Sequence, residues 1–113
     1  MIISHGHYDH SGGFKKLINL LNKYSKLVVG EEFFKAKYKM TDKQTYKYNG
    51  NSFDEKYILE HNIPLKKVKE GIFYITDNIM VFHHFLRKND IEKRNEKFYI
   101  IEKNLSSHDN VND

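Results

Sequence analysis

The chain has 113 residues, 39% of them hydrophobic and 14% aromatic, which suffices for the core of one small domain and leaves no room for two. Its 19 lysines and arginines are interspersed with 15 acidic residues, which predicts a mixed, solvated surface and no nucleic-acid partner. The absence of cysteine excludes disulfides and cysteine-ligated zinc. We find neither a signal-like segment nor an apolar span of about 18 residues, and therefore expect a cytoplasmic protein with no membrane partner.

Three of the seven histidines lie close together near the start of the sequence. They form the pattern His5, His7, Asp9 and His10, which we call the histidine run. On an extended or looping backbone these side chains alternate in direction, so several of them can converge on a metal ion. The alternative is a solvent-exposed, histidine-rich loop without function.

The segments on either side of the histidine run predict where it lies in the fold. Residues 1–3 are typical of the end of a buried strand, and Gly12 and Gly13 allow a close turn before a helical pattern over residues 14–21. Residues 27–29 then predict a short buried strand. The run is therefore predicted to lie on a strand-to-helix loop of a parallel α/β arrangement, where such proteins place binding and catalytic groups.

The middle of the chain is less regular. Residues 31–38 predict a short helix with phenylalanine and tyrosine anchors, and the polar, tyrosine-rich residues 40–51 predict a loop. Ser52 starts a capping-box pattern, so a helix is predicted over residues 53–61 with Ser52 as its N-cap.

Beyond Pro64 the hydrophobic period changes from helical to two. The pattern predicts a meander of three strand pieces, over residues 65–71, 73–75 and 79–82. A charged loop over residues 87–96 and one more strand over residues 98–101 are predicted to follow. We predict a single domain over residues 1–105. The last residues, 106–113, have too few apolar side chains to be expected to order, and are predicted to be a disordered tail.

The stretch from His5 to Gly13 resembles the metal-binding motif of the metallo-β-lactamase-fold hydrolases. Its spelling, Ser-His-Gly-His-Tyr-Asp-His, is similar to that of one branch, the dihydropterin-linked ribofuranosylaminobenzene phosphate synthase-like group. Residues 48–55, 68–71 and 87–92 also resemble the middle section of that branch.

This resemblance implies an α/β fold, here a partial αββα sandwich, with a site for two divalent ions that are commonly zinc. His5 and His7 match the ligands of the first ion, and Asp9 and His10 match those of the second. Asp9 would also be catalytic, because it would orient the water that attacks the substrate. A bound divalent ion makes such a water acidic enough to react near neutral pH.

The resemblance further implies that strands before the run and two histidines after it are missing, so we expect a fragment of a longer hydrolase. Two functions stay open. The first is a metal-dependent hydrolase, or transferase-like enzyme, for a small-molecule substrate that is phosphorylated or pterin-like. The second is a truncated, non-catalytic remnant that binds at most one metal weakly.

Overall fold

A computed structural model of the protein describes residues 1–21, 25–83, 98–102 and 105–108. These residues form a mixed α/β fold, which confirms the predicted class at that level. The helices are α1 Tyr8–Ser11, α2 Phe14–Ile18 and α3 Glu55–Glu60. The strands are β1 Leu27–Gly30, β2 Lys37–Met40, β3 Tyr46–Tyr48, β4 Leu65–Val68, β5 Gly71–Thr76, β6 Ile79–His83, β7 Phe98–Glu102 and β8 Leu105–His108. No helix within these described ranges is long and apolar enough to cross a membrane.

Within the described ranges the strands form three sheets. Strand β1 pairs in parallel with β4, while β5 and β6 form an antiparallel hairpin. The third sheet has the order β3-β2-β7-β8. The predicted strand pieces after Pro64 are therefore present, but the predicted meander is wrong, because β4 joins β1 instead of β5. A positive φ of 112° at Gly71, which glycine adopts without strain, lets the chain turn between β4 and β5.

The hydrophobic core lies where β1 meets α2, α3 and the turn after β1. All four residues of β1 are buried, which agrees with its uninterrupted apolar sequence, since a strand covered on both faces needs no alternation. The rings of Phe14 and Phe53 stack at a centroid distance of 4.3 Å, and Phe33 packs edge-on against Phe34 at 5.0 Å. The core includes Phe33, whose carbonyl oxygen lies next to Gly6 in the histidine run.

Residues 1–3 lie beside β1, as predicted, but they form a single parallel bridge instead of a complete strand. Val28 N–H donates to the carbonyl of Met1 at 2.9 Å, and Ile3 N–H donates to the carbonyl of Val28 at 3.2 Å. The side chain of Ile2 is 49% exposed. The histidine run thus begins two residues after Ile3, which is hydrogen-bonded to β1 in the core.

The helix predicted over residues 31–38 is wrong. Residues 31–35 form a turn, and β2 begins at Lys37. Strand β2 pairs with β7, which lies far along the chain, so the competing interaction could not be read from the local sequence. The loop predicted over residues 40–51 is also partly wrong, because Tyr46–Tyr48 form β3 and pair with β2.

Strand β7 ends before residue 105 and β8 begins there, where we predicted the domain to end and the tail to begin. Strand β7 confirms the strand predicted over residues 98–101. Residues 106–108, which we predicted as part of the disordered tail, lie instead in β8, which pairs with β7. The predicted loop over 87–96 and the rest of the predicted tail, 109–113, lie outside the described residues.

Helix α3 confirms the helix predicted over residues 53–61, with a shorter extent and a different N-cap. The side chain of Asp54 accepts a hydrogen bond from Tyr57 N–H at 2.9 Å, as an N-cap carboxylate does. Ser52, the predicted N-cap, lies two residues earlier and is exposed.

Replacing Asp54 with alanine should therefore lower the free energy of unfolding by about 1 kcal/mol, the usual cost of losing an N-cap side chain. The matched control is Ser52→Ala, which should leave the midpoint of urea unfolding unchanged. A larger loss in the Ser52 variant than in the Asp54 variant would contradict the assignment of the cap.

Candidate metal site

The histidine run has two halves with different backbone conformations. Residues up to His7 are non-helical, and His7 itself is the N-cap of α1 with φ −92° and ψ 152°. Its carbonyl accepts hydrogen bonds from the N–H groups of His10 and Ser11, both at 3.1 Å, and from the buried Ser11 hydroxyl at 3.0 Å. The prediction that the whole run lies on a loop is therefore wrong for its second half, which is one helical turn containing Asp9 and His10.

This change of conformation brings three imidazole rings together. The ring centroids of His5 and His7 are 4.9 Å apart with the rings perpendicular, and those of His5 and His10 are 4.0 Å apart. The Ser4 hydroxyl lies 3.1 Å from Nδ1 of His5 and 3.2 Å from Nδ1 of His10. A hydroxyl can donate to one ring and accept from the other, so Ser4 fixes the rotation of both imidazoles.

Asp9 lies at the outer side of this cluster. Its side chain is 78% exposed, and Oδ2 is 3.7 Å from Nε2 of His10. His7, by contrast, is only 5% exposed, and its ring packs against Phe98 at a centroid distance of 4.8 Å. The run therefore presents one buried imidazole and one solvent-facing carboxylate.

These distances can be compared with those that a shared zinc ion requires. With Zn–N bonds of about 2.0–2.1 Å in a tetrahedral arrangement, two coordinating imidazoles have ring centroids about 5 Å apart. The centroid distance of 4.9 Å between His5 and His7 is compatible with this value, whereas the distance of 4.0 Å between His5 and His10 is shorter. Oδ2 of Asp9 and Nε2 of His10 are 3.7 Å apart, close to the separation of about 3.5 Å expected for two ligand atoms of one ion.

The separations within His5–His7 and within Asp9–His10 are thus compatible with a shared ion, while His5 and His10 are the closest rings of the cluster. Across the described ranges, no group of three or more His, Cys, Asp and Glu side chains is arranged to hold one metal ion. The chemistry of the donors, neutral imidazole nitrogen and carboxylate oxygen, suits a divalent ion such as zinc.

Buried polar groups of Lys37, Asn51 and the Phe33 carbonyl lie under the first half of the run, and we call them the polar floor. Sequence analysis did not identify them. The ammonium group of Lys37, which is almost completely buried, donates to the carbonyls of Glu32 at 2.8 Å and Phe33 at 3.2 Å. The Asn51 amide nitrogen donates to the same Phe33 carbonyl at 2.8 Å. Gly6 packs directly on this floor, and a Cβ atom there would overlap the Phe33 carbonyl oxygen.

Further hydrogen bonds connect the run to the third sheet. Tyr8 N–H donates to the Asn49 carbonyl at 3.1 Å, and Asn49 N–H donates to the Lys37 carbonyl at 2.8 Å. The Tyr48 hydroxyl donates to the Asn51 carbonyl at 2.6 Å, and burial is the main cause that raises the pKa of Tyr48. The loop between β3 and α3 thus holds the start of α1.

No protein-family model matches the chain, and neither does any curated protein. The likeness to metallo-β-lactamase-fold hydrolases therefore stays a resemblance in the sequence, carried by the histidine run and by residues 48–55, 68–71 and 87–92.

Proposed function

We propose that the chain is a metal-dependent hydrolase, or transferase-like enzyme, of the metallo-β-lactamase fold. His5 and His7 would hold one divalent ion, most simply zinc, and Asp9 and His10 a second. The observation that carries the proposal is the convergence of the three imidazole rings. The separations within His5–His7 and within Asp9–His10, the pairs that the family resemblance assigns to separate ions, are compatible with two ligands of one ion.

The partial αββα sandwich belongs to the same proposal. The mixed α/β architecture and the placement of the run after a β1-paired segment and before α2 support it. We expect a small-molecule substrate, phosphorylated or pterin-like, and a cytoplasmic location.

Each residue of the run has a distinct part in this proposal. Bound divalent ions would supply Lewis acidity and an acidified water. Asp9, exposed beside His10, is placed to accept a hydrogen bond from an attacking water and so to orient it. Ser4 holds the rings of His5 and His10, and the Phe98 ring holds that of His7.

The proposal predicts that metal binding depends on His7. We expect His7→Ala to weaken zinc binding by at least about a hundredfold, because the loss of a residue that only orients a metal ligand already lowers metal affinity 10- to 100-fold. Zinc content after dialysis and calorimetric titration would measure this, together with hydrolysis of phosphodiester and lactone substrates. Asp9→Asn should lower the rate of hydrolysis. His61→Ala, at the exposed end of α3, is the matched control.

Because His7 is buried, its replacement can also affect folding, so His10→Ala provides a second, exposed variant. Equal zinc content and equal rates in the native chain and in the His7, Asp9 and His10 variants would refute the proposed site. Weak binding of one ion without hydrolysis would instead favour the second function, a non-catalytic remnant.

A further inference from the structure

Two lysines lie on the same face of the third sheet as the buried histidine of the run. Lys39 in β2 is directly opposite Lys47 in β3, and on its other side it is directly opposite Phe98 in β7. Residues directly opposite each other in antiparallel strands share a face. Since the Phe98 ring also contacts His7, the lysine pair lies one strand further along the face that carries this histidine.

This arrangement needs an explanation, because like charges directly opposite each other destabilise a sheet. Lysines often protect the edge of a sheet from pairing with other chains. That role can account for Lys47 on the edge strand β3, but not for Lys39, because β2 lies between β3 and β7. Among the described residues, no carboxylate lies within ion-pair distance of either ammonium group.

A surface cavity of about 490 Å³ adjoins the pair, a volume within the range of about 300–1,000 Å³ that holds small ligands. Lys39, Lys47 and Asn49 line it, together with one carboxylate, that of Asp42. Asn49 accepts the hydrogen bond from Tyr8 N–H at the start of α1. One residue that lines the cavity thus contacts the backbone of the histidine run, and the lining has two ammonium groups against one carboxylate.

We propose that Lys39 and Lys47 bind the dianionic phosphate group of a small-molecule substrate of the histidine site. Two compact ammonium groups on flexible stems suit a phosphate, which can accept hydrogen bonds from both and remove their mutual repulsion. This inference deepens the proposed function and rests on it for the reaction, but the phosphate subsite itself depends only on the two lysines and the cavity.

The test is an NMR titration of the metal-free protein with inorganic phosphate at about pH 8, where a phosphate group carries close to two charges. Acetate at the same ionic strength serves as the monoanionic comparison. Phosphate should shift the amide resonances of β2 and β3. Lys39→Gln and Lys47→Gln should each weaken binding about two- to fivefold, as expected for exposed ion pairs. Lys69→Gln, at an exposed position after β4, should leave binding unchanged.

Equal phosphate affinity in the native chain and both lysine variants would overturn the subsite, and so would acetate binding as tightly as phosphate. A parallel titration after zinc addition separates this inference from the proposed function. Phosphate binding that requires zinc and survives both lysine substitutions would support the metal site and overturn the subsite. Binding that is weakened by the substitutions in the metal-free chain supports the subsite, even if zinc does not bind.

Discussion

Replacing Gly6 with alanine is expected to lower the free energy of unfolding by about 1–3 kcal/mol, the usual cost of overpacking a buried position. The added methyl group would overlap the Phe33 carbonyl oxygen and press on the side chains of Lys37 and Asn51. Because the first contact is with backbone, it cannot be relieved by a change of rotamer.

The effect on the site should exceed that of an ordinary core substitution. The Phe33 carbonyl is held by hydrogen bonds from both Lys37 and Asn51, so the floor resists displacement and the run itself must move. His5 and His7 flank Gly6 and would move with it. We therefore expect the variant to lose zinc affinity together with stability.

Gly13→Ala is the matched control for this prediction. A Cβ atom at Gly13 would meet nothing within 4 Å, and the residue already has helical φ and ψ values of −83° and −5°. Its stability should change by less than about 1 kcal/mol in urea unfolding. If Gly6→Ala were as stable as Gly13→Ala and bound zinc equally well, the contact between the run and the polar floor would be refuted.

Phe33→Ala should have the largest effect on stability, a loss of about 3–5 kcal/mol of unfolding free energy. The side chain is 0% exposed and contacts the rings of Phe34 and Phe53. Truncation would remove most of its buried surface and leave a cavity in the core. Because domains of this size are stable by only about 5–15 kcal/mol, this loss is a large fraction of the total.

Urea unfolding followed by far-ultraviolet circular dichroism would measure this loss. Phe82→Ala removes the same type of side chain from an exposed position and serves as the control. Phe82 is 59% exposed, so its replacement should change the free energy of unfolding by less than about 0.5 kcal/mol. Phe33→Leu should give an intermediate loss and remains measurable if Phe33→Ala does not fold. Similar unfolding midpoints for Phe33→Ala and Phe82→Ala would show that Phe33 is not central to the core.

Much of the fold could be predicted from hydrophobic spacing. Helix α2, strand β1 and strand β7 lie within one to three residues of their predicted limits, because each is short, apolar and bounded by clear turn or polar signals. Strand β2 was missed for a physical reason. Its residues gain strand structure by pairing with β7, and no periodicity within 31–38 can report a partner so distant along the chain.

The candidate site was predicted in part. The closeness of His5, His7 and His10 was expected, but alternation does not explain it for His10, which approaches His5 because the chain turns into α1 after His7. The position of Asp9 does not follow from alternation, because the chain turns into α1 after His7 and the carboxylate faces solvent. Gly12 and Gly13 were correctly associated with a close turn, yet the helical turn before them had no distinct sequence signal.

The polar floor had no signal in the sequence. Lys37 is one lysine among many in a charged segment, and Asn51 was part of an apparent turn. Only the fold brings both to the carbonyl of Phe33. Buried polar groups of this kind depend on a tertiary acceptor, so they cannot be identified from local residue patterns.

The contact between the His7 and Phe98 rings also provides a spectroscopic reporter. The chain contains no tryptophan, so tryptophan fluorescence cannot be used to follow ligand binding. An aromatic ring shifts the proton resonances of groups a few ångströms from its face, and the two centroids are 4.8 Å apart. The proton resonances of Phe98 therefore record any rotation of the His7 imidazole, without a label attached to the site.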